Sequence, residues 1–192
     1  ELTVTETAFQ ARLLTRTPAG RLHQEPLPEV SNLRTSVSWA AQGVRIAPEV
    51  ATPVERVASP RLDLTLVLDR GDAVAAGVLV RSWAAGGEGS AAIVVDWEAG
   101  VLEAVFEGGG DGGAGQRRVG GPVALGPPGA PVTLRLLLDH SACEVYLGSG
   151  EVLSTRVYRG SPPPGADAGV DLVSYGGSAT ALHVEAHEMG TM

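Results

Sequence analysis

Lysine is missing altogether: all 14 basic residues of this 192-residue chain are arginine. Schiff-base chemistry on lysine and a phosphate-loop lysine are therefore excluded. Cysteine is nearly missing. The one thiol, Cys143, rules out an intrachain disulfide. Its place in an apolar run reads as a small buried hydrophobe. Asparagine occurs once, at Asn32, and with the absent lysine this reads as the bias of a GC-rich genome. Aromatics make up only 4% of the chain. No apolar run approaches the roughly 18 residues of a membrane span. The net charge is -8 and no basic stripe is visible, which argues against nucleic acid as a partner. The chain opens on Glu1 in mid-pattern, without a signal peptide, and this points to a fragment or a processed product.

What is present suits a β-protein. The chain is 44% hydrophobic, enough for a real core, and its 26 glycines and 13 prolines are spread as turn signals. Strand-like runs recur: "TSVSWAAQGVRIA", "RLDLTLVLDR", "AAGVLVRSW", the hairpin "SAAIVVDWEAGVLEAVFEG", and a closing hairpin "AGVDLVSYGGSATALHVEAHEM". About eight to eleven strands with tight turns and no clear helix predict an all-β fold, an antiparallel β-sandwich of two packed sheets, jelly-roll or lectin-like. A closed barrel is the alternative. Before these strands, residues 1–22 hold two short strand-like runs with a turn at Pro18–Gly20. Residues 23–36, "HQEPLPEVSNLRTS", read as a surface linker with a turn of helix at Glu29–Arg34.

The stretch 134–158, "LRLLLDHSACEVYLGSGEVLSTRVY", reads as one long strand, a short turn and a returning strand. With Gly148–Gly150 as a three-residue loop, Leu147 pairs with Glu151, Tyr146 with Val152, Val145 with Leu153, Glu144 with Ser154, Cys143 with Thr155 and Ala142 with Arg156. Glu144 and Arg156 then become diagonal neighbours on one face, within side-chain reach.

Several motifs invite a functional reading. The run "EGGGDGGAG" at 107–115 lacks the lysine and hydroxyl residue of a phosphate loop and reads as a loop between strands. "HVEAH" puts His183, Glu185 and His187 on one strand face, where two imidazoles and a carboxylate suit zinc. It is not the helical metalloprotease motif, and a polar solvent face is the plainer reading. The carboxylates Asp69, Asp96, Asp139, Glu144 and Asp171 lie on predicted strands, yet nothing pairs two of them as a glycosidase requires. Asp139, His140 and Ser141 alternate faces along a strand, so they cannot form a relay as neighbours, and no nucleophile elbow is present. Arg81, Trp83 and Trp97 could hold a sugar by stacking and bidentate hydrogen bonds, or simply pack.

The quoted stretch as a whole resembles the C-terminal β-sandwich of glycoside hydrolase family 32, the invertases, levanases and fructan hydrolases. That family repeats a "V-D-x-S-x-x-E-x-[FY]" strand, a glycine turn and an "[ST]-x-R-[IV]-Y" strand. Asp139, Ser141, Glu144, Tyr146, Arg156, Val157 and Tyr158 occupy those places. "LDHS" and "AHEM" look most like plant-type acid invertases, and "GRLHQEPLPEVSNLR" at 20–34 is similar to the family's connection from propeller to sandwich. The resemblance implies that residues 1–36 are the last propeller strands plus a linker, and that 37–192 are the sandwich. Catalysis in the family sits in an N-terminal five-bladed propeller, and its "DP" and "EC" motifs do not occur here. No catalytic residue, cofactor or metal is expected. Two roles follow. One is a carbohydrate-binding module for β-fructosides (levan, inulin, sucrose), with Arg81, Asp139, Glu144, Arg156 and Tyr158 as contacts. The other is a structural module that stabilises a catalytic propeller or mediates homo-oligomers through the sandwich, with Glu144–Arg156 as an internal ion pair. Either is compatible with a fragment of a complete invertase. The resemblance also implies a secreted or vacuolar protein, with no nucleic-acid or membrane partner.

Overall fold

The computed structural model describes residues 12–55, 57, 59–83, 89–106, 116–160, 163 and 169–190. The glycine-rich run 107–115 lies outside them. A two-stranded hairpin comes first: β1 (Arg12–Arg16) and β2 (Leu22–Pro26). A 3-10 helix follows at Pro28–Leu33, with proline in its first turn. Then come β3 (Arg34–Ile46), β4 (Thr52–Pro53), β5 (Arg61–Asp69), β6 (Ala75–Val80), β7 (Ala91–Asp96), β8 (Val101–Phe106), β9 (Arg117–Pro122), β10 (Val132–Asp139), β11 (Ala142–Leu147), β12 (Val152–Arg156), β13 (Val170–Tyr175) and β14 (Ala179–Met189). These form two six-stranded antiparallel sheets, ordered β12-β11-β10-β5-β14-β3 and β4-β13-β6-β7-β8-β9. The all-β antiparallel sandwich is the fold predicted from the strand pattern, and neither sheet closes into a barrel.

Alternation along the strands builds the core. Leu62, Leu64, Leu66 and Leu68 of β5 point inward beside Leu134, Leu136 and Leu138 of β10 and Val145 of β11. Val78, Val80, Ile93, Leu102, Ala104, Phe106 and Leu172 meet them from the second sheet. Cys143 is buried among them, and burial pushes its thiol up to about 12, so it stays protonated and unreactive.

The hairpin register is the predicted one: Ala142 opposes Arg156, Cys143 Thr155, Glu144 Ser154, Val145 Leu153 and Tyr146 Val152. Three strand assignments differ from expectation. The start of the stretch read as a linker is a strand, since β2 (Leu22–Pro26) pairs with β1. The single long strand is broken at His140, which adopts φ +53° between Asp139 and Ala142, so β10 and β11 form a hairpin of their own. The closing "hairpin" is also no hairpin. β13 pairs with β4 and β6 in the second sheet, whereas β14 lies between β3 and β5 in the first. Gly176 (φ +66°) and Gly177 (φ +154°) carry the chain from one sheet to the other. The β5–β6 crossover runs beside this corner, and the two are tied together by Ser178 N–H donating to Asp72 Oδ1 at 2.7 Å. No sequence signal singles out β9, whose Arg-Arg-Val-Gly-Gly-Pro composition is poor for a strand.

One glycine is fixed by packing. A Cβ on Gly77 would lie 2.0 Å from the Ile93 carbonyl oxygen of the neighbouring strand. Gly77→Ala is expected to cost about 2 kcal/mol or more in urea denaturation. Gly121→Ala, whose Cβ meets nothing within 4 Å, should be close to neutral.

Candidate functional site

The polar centre of the molecule is the outer face of the first sheet. One cross-strand row there reads Ser154, Glu144, Leu137, Asp63 and His187. The next reads Val152, Tyr146, Arg135, Thr65 and Glu185. The N-terminal segment covers this face. Val30 of the 3-10 helix packs on Leu137, Tyr146 and Met189, with Leu27, Leu33 and Val152 around them. Two carboxylates are thereby sealed off, Glu144 at 1% exposure and Asp63 at 0%.

Burying a carboxylate is costly unless it is paired, and each of these is met by an arginine of the N-terminal segment. Arg12 of β1 donates from Nη2 to Glu144 Oε1 at 2.5 Å and to Ser154 Oγ. Its guanidinium also stands 5.7 Å from the centroid of the Tyr146 ring. Tyr146 completes the carboxylate by donating its hydroxyl to Glu144 Oε2 at 2.5 Å. Burial and the Glu144 carboxylate hold the Tyr146 phenol far above its ordinary range, so it remains a donor. Burial is the largest influence and works against the Arg12 charge, but the hydrogen bonds and charges of Glu144 and Tyr146 together outweigh it, and its pKa is raised.

Asp63 takes three bonds. Arg135 Nε donates to Oδ1 at 2.9 Å and Nη2 to Oδ2 at 2.7 Å, a bidentate fork, and Arg34 Nε donates to Oδ2 at 2.7 Å. Arg135 also reaches Ser31 Oγ of the 3-10 helix at 3.2 Å. Desolvation pushes Asp63 up, but the hydrogen bonds from Arg135 and Arg34 win, and its pKa falls below the ordinary value. Further anchors lie along the hairpin: Gln24 N–H donates to the Gly150 carbonyl at 2.9 Å, and Arg21 pairs with Glu151 at 2.7 Å.

The five residues expected to contact a sugar are spread over the molecule. Asp139, Glu144 and Arg156 share the outer face of the first sheet, Asp139 and Arg156 both flanking Ala142 in one row. Glu144 is engaged by Arg12 and Tyr146, so the ion pair anticipated with Arg156 is replaced by one with a residue 132 positions away in sequence. Arg156 donates to Ser141 Oγ at 3.0 Å, and Asp139 Oδ1 lies 2.8 Å from His140 Nδ1. Ser141 thus serves Arg156 and forms no relay with Asp139 and His140. Arg81 belongs to the second sheet, where it grips buried Asp171 through Nη2 at 2.6 Å and through Nε. Tyr158 follows β12, 68% exposed, with its carbonyl bonded to Ser82 Oγ at 3.3 Å. Beside it Arg159 is buried, stacked on the Trp83 ring at 4.3 Å and bonded to the carbonyls of Arg81, Ser59 and Gly169. Burial lowers its pKa to about 10. Arg12 and Asp63, which organise the face, carried no signal in the sequence analysis.

Chemically, this arrangement binds its own chain. The buried carboxylates Asp63, Glu144 and Asp171 are each held by arginine, a state that disfavours acid or base work at neutral pH. His183, Glu185 and His187 do lie together, with His187 Nε2 bonded to Glu185, which lowers the Glu185 pKa. Among the described residues no group of three or more His, Cys, Asp and Glu could hold a metal ion. No helix among them is long and apolar enough to cross a membrane.

Known proteins show the same architecture. The model of the family described as "Glycosyl hydrolases family 32 C terminal" matches residues 29–188. An exo-inulinase from Aspergillus awamori superposes with a TM-score of 0.71 at 17% identity, over 94% of this chain and 35% of that one. A fructan 1-exohydrolase IIa from Cichorium intybus, solved with 1-kestose, gives 0.71 at 16%, over 94% and 40%. A GH32 beta-fructofuranosidase from Bombyx mori gives 0.62 at 23%, over 95% and 32%. The chain therefore spans well under half the length of the solved proteins it resembles. No curated protein matches it in sequence.

The Asp63 cluster sets an acid limit on stability. A depressed carboxylate contributes fully above its ordinary value, near 3.8, and the contribution is lost as pH falls through the lower folded value. Urea denaturation followed from neutral pH downward should lose stability in that window. Asp63→Asn should flatten this limb while lowering stability at pH 7.

Proposed function

Because the chain belongs to the glycosyl hydrolase family 32 C-terminal domains, we propose that it is the non-catalytic accessory module of a β-fructofuranosidase-type glycoside hydrolase, with a structural task. It fastens the N-terminal segment, and through it a catalytic five-bladed propeller, to the sandwich. In this reading residues 1–36 are the join and 37–192 the module. The parent enzyme hydrolyses sucrose or fructans and is secreted or vacuolar, and the sandwich is available for homo-oligomer contacts.

The observation that carries the reading is the buried Glu144 with its long-range partner Arg12. A carboxylate at 1% exposure, saturated by an arginine and a tyrosine of the same chain, suits a fastening and is poorly placed to greet a sugar. The hairpin also shows apolar side chains outward, Leu13, Leu14 and Leu22, which suits a surface completed by a neighbouring module. A two-stranded hairpin is marginal by itself, so the sandwich and the neighbour both support it.

The second reading, recognition of a β-fructoside by Arg81, Asp139, Glu144, Arg156 and Tyr158, draws on the row shared by Asp139 and Arg156 and on the exposed Tyr158. One variant separates the two. Glu144→Gln should lower stability by about 2 kcal/mol or more, roughly 5 °C in Tm, and speed exchange of the Gln24 amide. Unchanged stability together with loss of heat on calorimetric titration with levan or inulin would favour the fructoside reading instead.

A further inference from the structure

On one side of the sandwich the two sheets end on β9 and β12, and the gap between these edges is open. It forms a groove of about 460 Å³, walled by Val119, Gly121 and Val123 on the β9 side, by Val152 and Ser154 on the β12 side, and by Leu22 of the hairpin. The three valines are half-buried and Leu22 is exposed. Gly121 keeps the groove open. No atom lies within 4 Å of where its Cβ would be, so a side chain there would enter the gap without a clash. Protein interiors are otherwise close-packed, and this edge of the sandwich is left unfinished.

The β12 edge presents a row of backbone donors and acceptors. Leu147 N–H donates to the Glu151 carbonyl and Val157 N–H to the Ser141 carbonyl, so the odd-numbered residues of this segment bond toward β11. Val152 and Ser154 therefore turn their N–H and C=O groups outward, where no described strand pairs with them. They repeat at roughly 7 Å along the strand. The Gly150 carbonyl, the preceding outward group, is already taken by Gln24 N–H at 2.9 Å. The hairpin thus begins a pairing that the rest of the edge leaves open. The polar side chains of the groove are engaged already: Gln24 and Ser154 by Arg12, Glu151 by Arg21 and the Ala124 amide.

We propose that this groove takes an extended peptide, which adds to β12 as a new edge strand. Backbone groups repeating at strand spacing match another extended backbone. An inward side chain of the peptide, apolar and of moderate size, fills the space that Gly121 leaves beside Val119 and Val123. Alternation along β9 puts Arg117 on the same side as Val119 and Gly121, just beyond the groove wall. Its exposed guanidinium stands 4.1 Å from the centroid of the Phe106 ring and, among the described residues, pairs with no carboxylate. The peptide that fits is therefore short, alternates apolar with hydroxyl residues and has an acidic end. The proposal goes beyond the fastening role: it concerns the free edge of the first sheet, and neither Glu144 nor Asp63 takes part.

The test is fluorescence polarisation with a labelled peptide, Thr-Val-Thr-Val-Thr-Asp-Asp. It should bind saturably, with a Kd on the order of 100 μM. The same peptide N-methylated at alternate residues loses edge hydrogen bonds and should bind about tenfold more weakly. Gly121→Leu should weaken binding by about tenfold or more by filling the groove. Its stability in urea should stay near that of the parent, which keeps this test apart from that of the fastening. Arg117→Glu should weaken the acidic peptide and favour a counterpart ending in Lys-Lys, and it decides the matter should Gly121→Leu not fold. Absence of saturable binding would overturn the proposal. So would an N-methylated peptide that binds as tightly as its parent, or binding that survives both variants. Sedimentation supplies a further check: a dimer of the chain that Gly121→Leu abolishes would mean that a second copy occupies this edge, and would overturn it too.

Discussion

Glu144 sits where a carboxylate can survive only with a cation beside it. It lies in the second strand of a sheet whose outer face is roofed by the linker, at 1% exposure. An uncompensated charge there would cost several kcal/mol. The sheet itself supplies Tyr146 as one donor, but the charge comes from Arg12, outside the sandwich strands. Asp63 repeats the device two strands away, taking one arginine from the sheet, Arg135, and one from the end of the linker, Arg34. The path of residues 12–34 is thus set at both ends by charges buried in the sheet. The apolar contacts of Val30, Leu27 and Leu33 fill the stretch between. Dependence runs both ways, since β1 and β2 form only a two-stranded ribbon.

The absence of lysine has a structural counterpart. Among the described residues each buried carboxylate is gripped by a guanidinium, and two of the three carboxylates, Asp63 by Arg135 and Asp171 by Arg81, are held bidentately. A planar fork holds a carboxylate in a fixed orientation and stays charged at any physiological pH. Carboxylates held in this way are poor acids, bases and nucleophiles. The chemistry of the polar face is therefore that of attachment, consistent with a family 32 C-terminal domain that covers 40% or less of its solved relatives.

Much of the architecture was legible in the residues. The β11–β12 register followed from two facts, an alternation of Val145 and Leu153 against Glu144 and Ser154, and a loop bounded by Gly148 and Gly150. The 3-10 turn followed from the prolines around Glu29. Other features were illegible for physical reasons. The turn at His140 uses a left-handed non-glycine residue without any glycine, proline or asparagine to announce it. Gly176–Gly177 looks like a hairpin loop, yet those dihedrals send the chain to the other sheet. The partner of Glu144 was out of reach for a different reason. Local register names the diagonal neighbour Arg156, but burial under the linker selects Arg12, and only tertiary structure brings a residue 132 positions away into contact.

The most direct test of this account is a double-mutant cycle on Arg12→Ala and Glu144→Gln, with unfolding free energies measured in urea. The account predicts strong coupling, about 1 kcal/mol or more, because removing either partner already costs most of what the pair contributes. Additive effects, with coupling near zero, would mean that Arg12 and Glu144 act independently. The fastening of the N-terminal segment would then have to rest on the apolar linker contacts alone, and the central claim would fail.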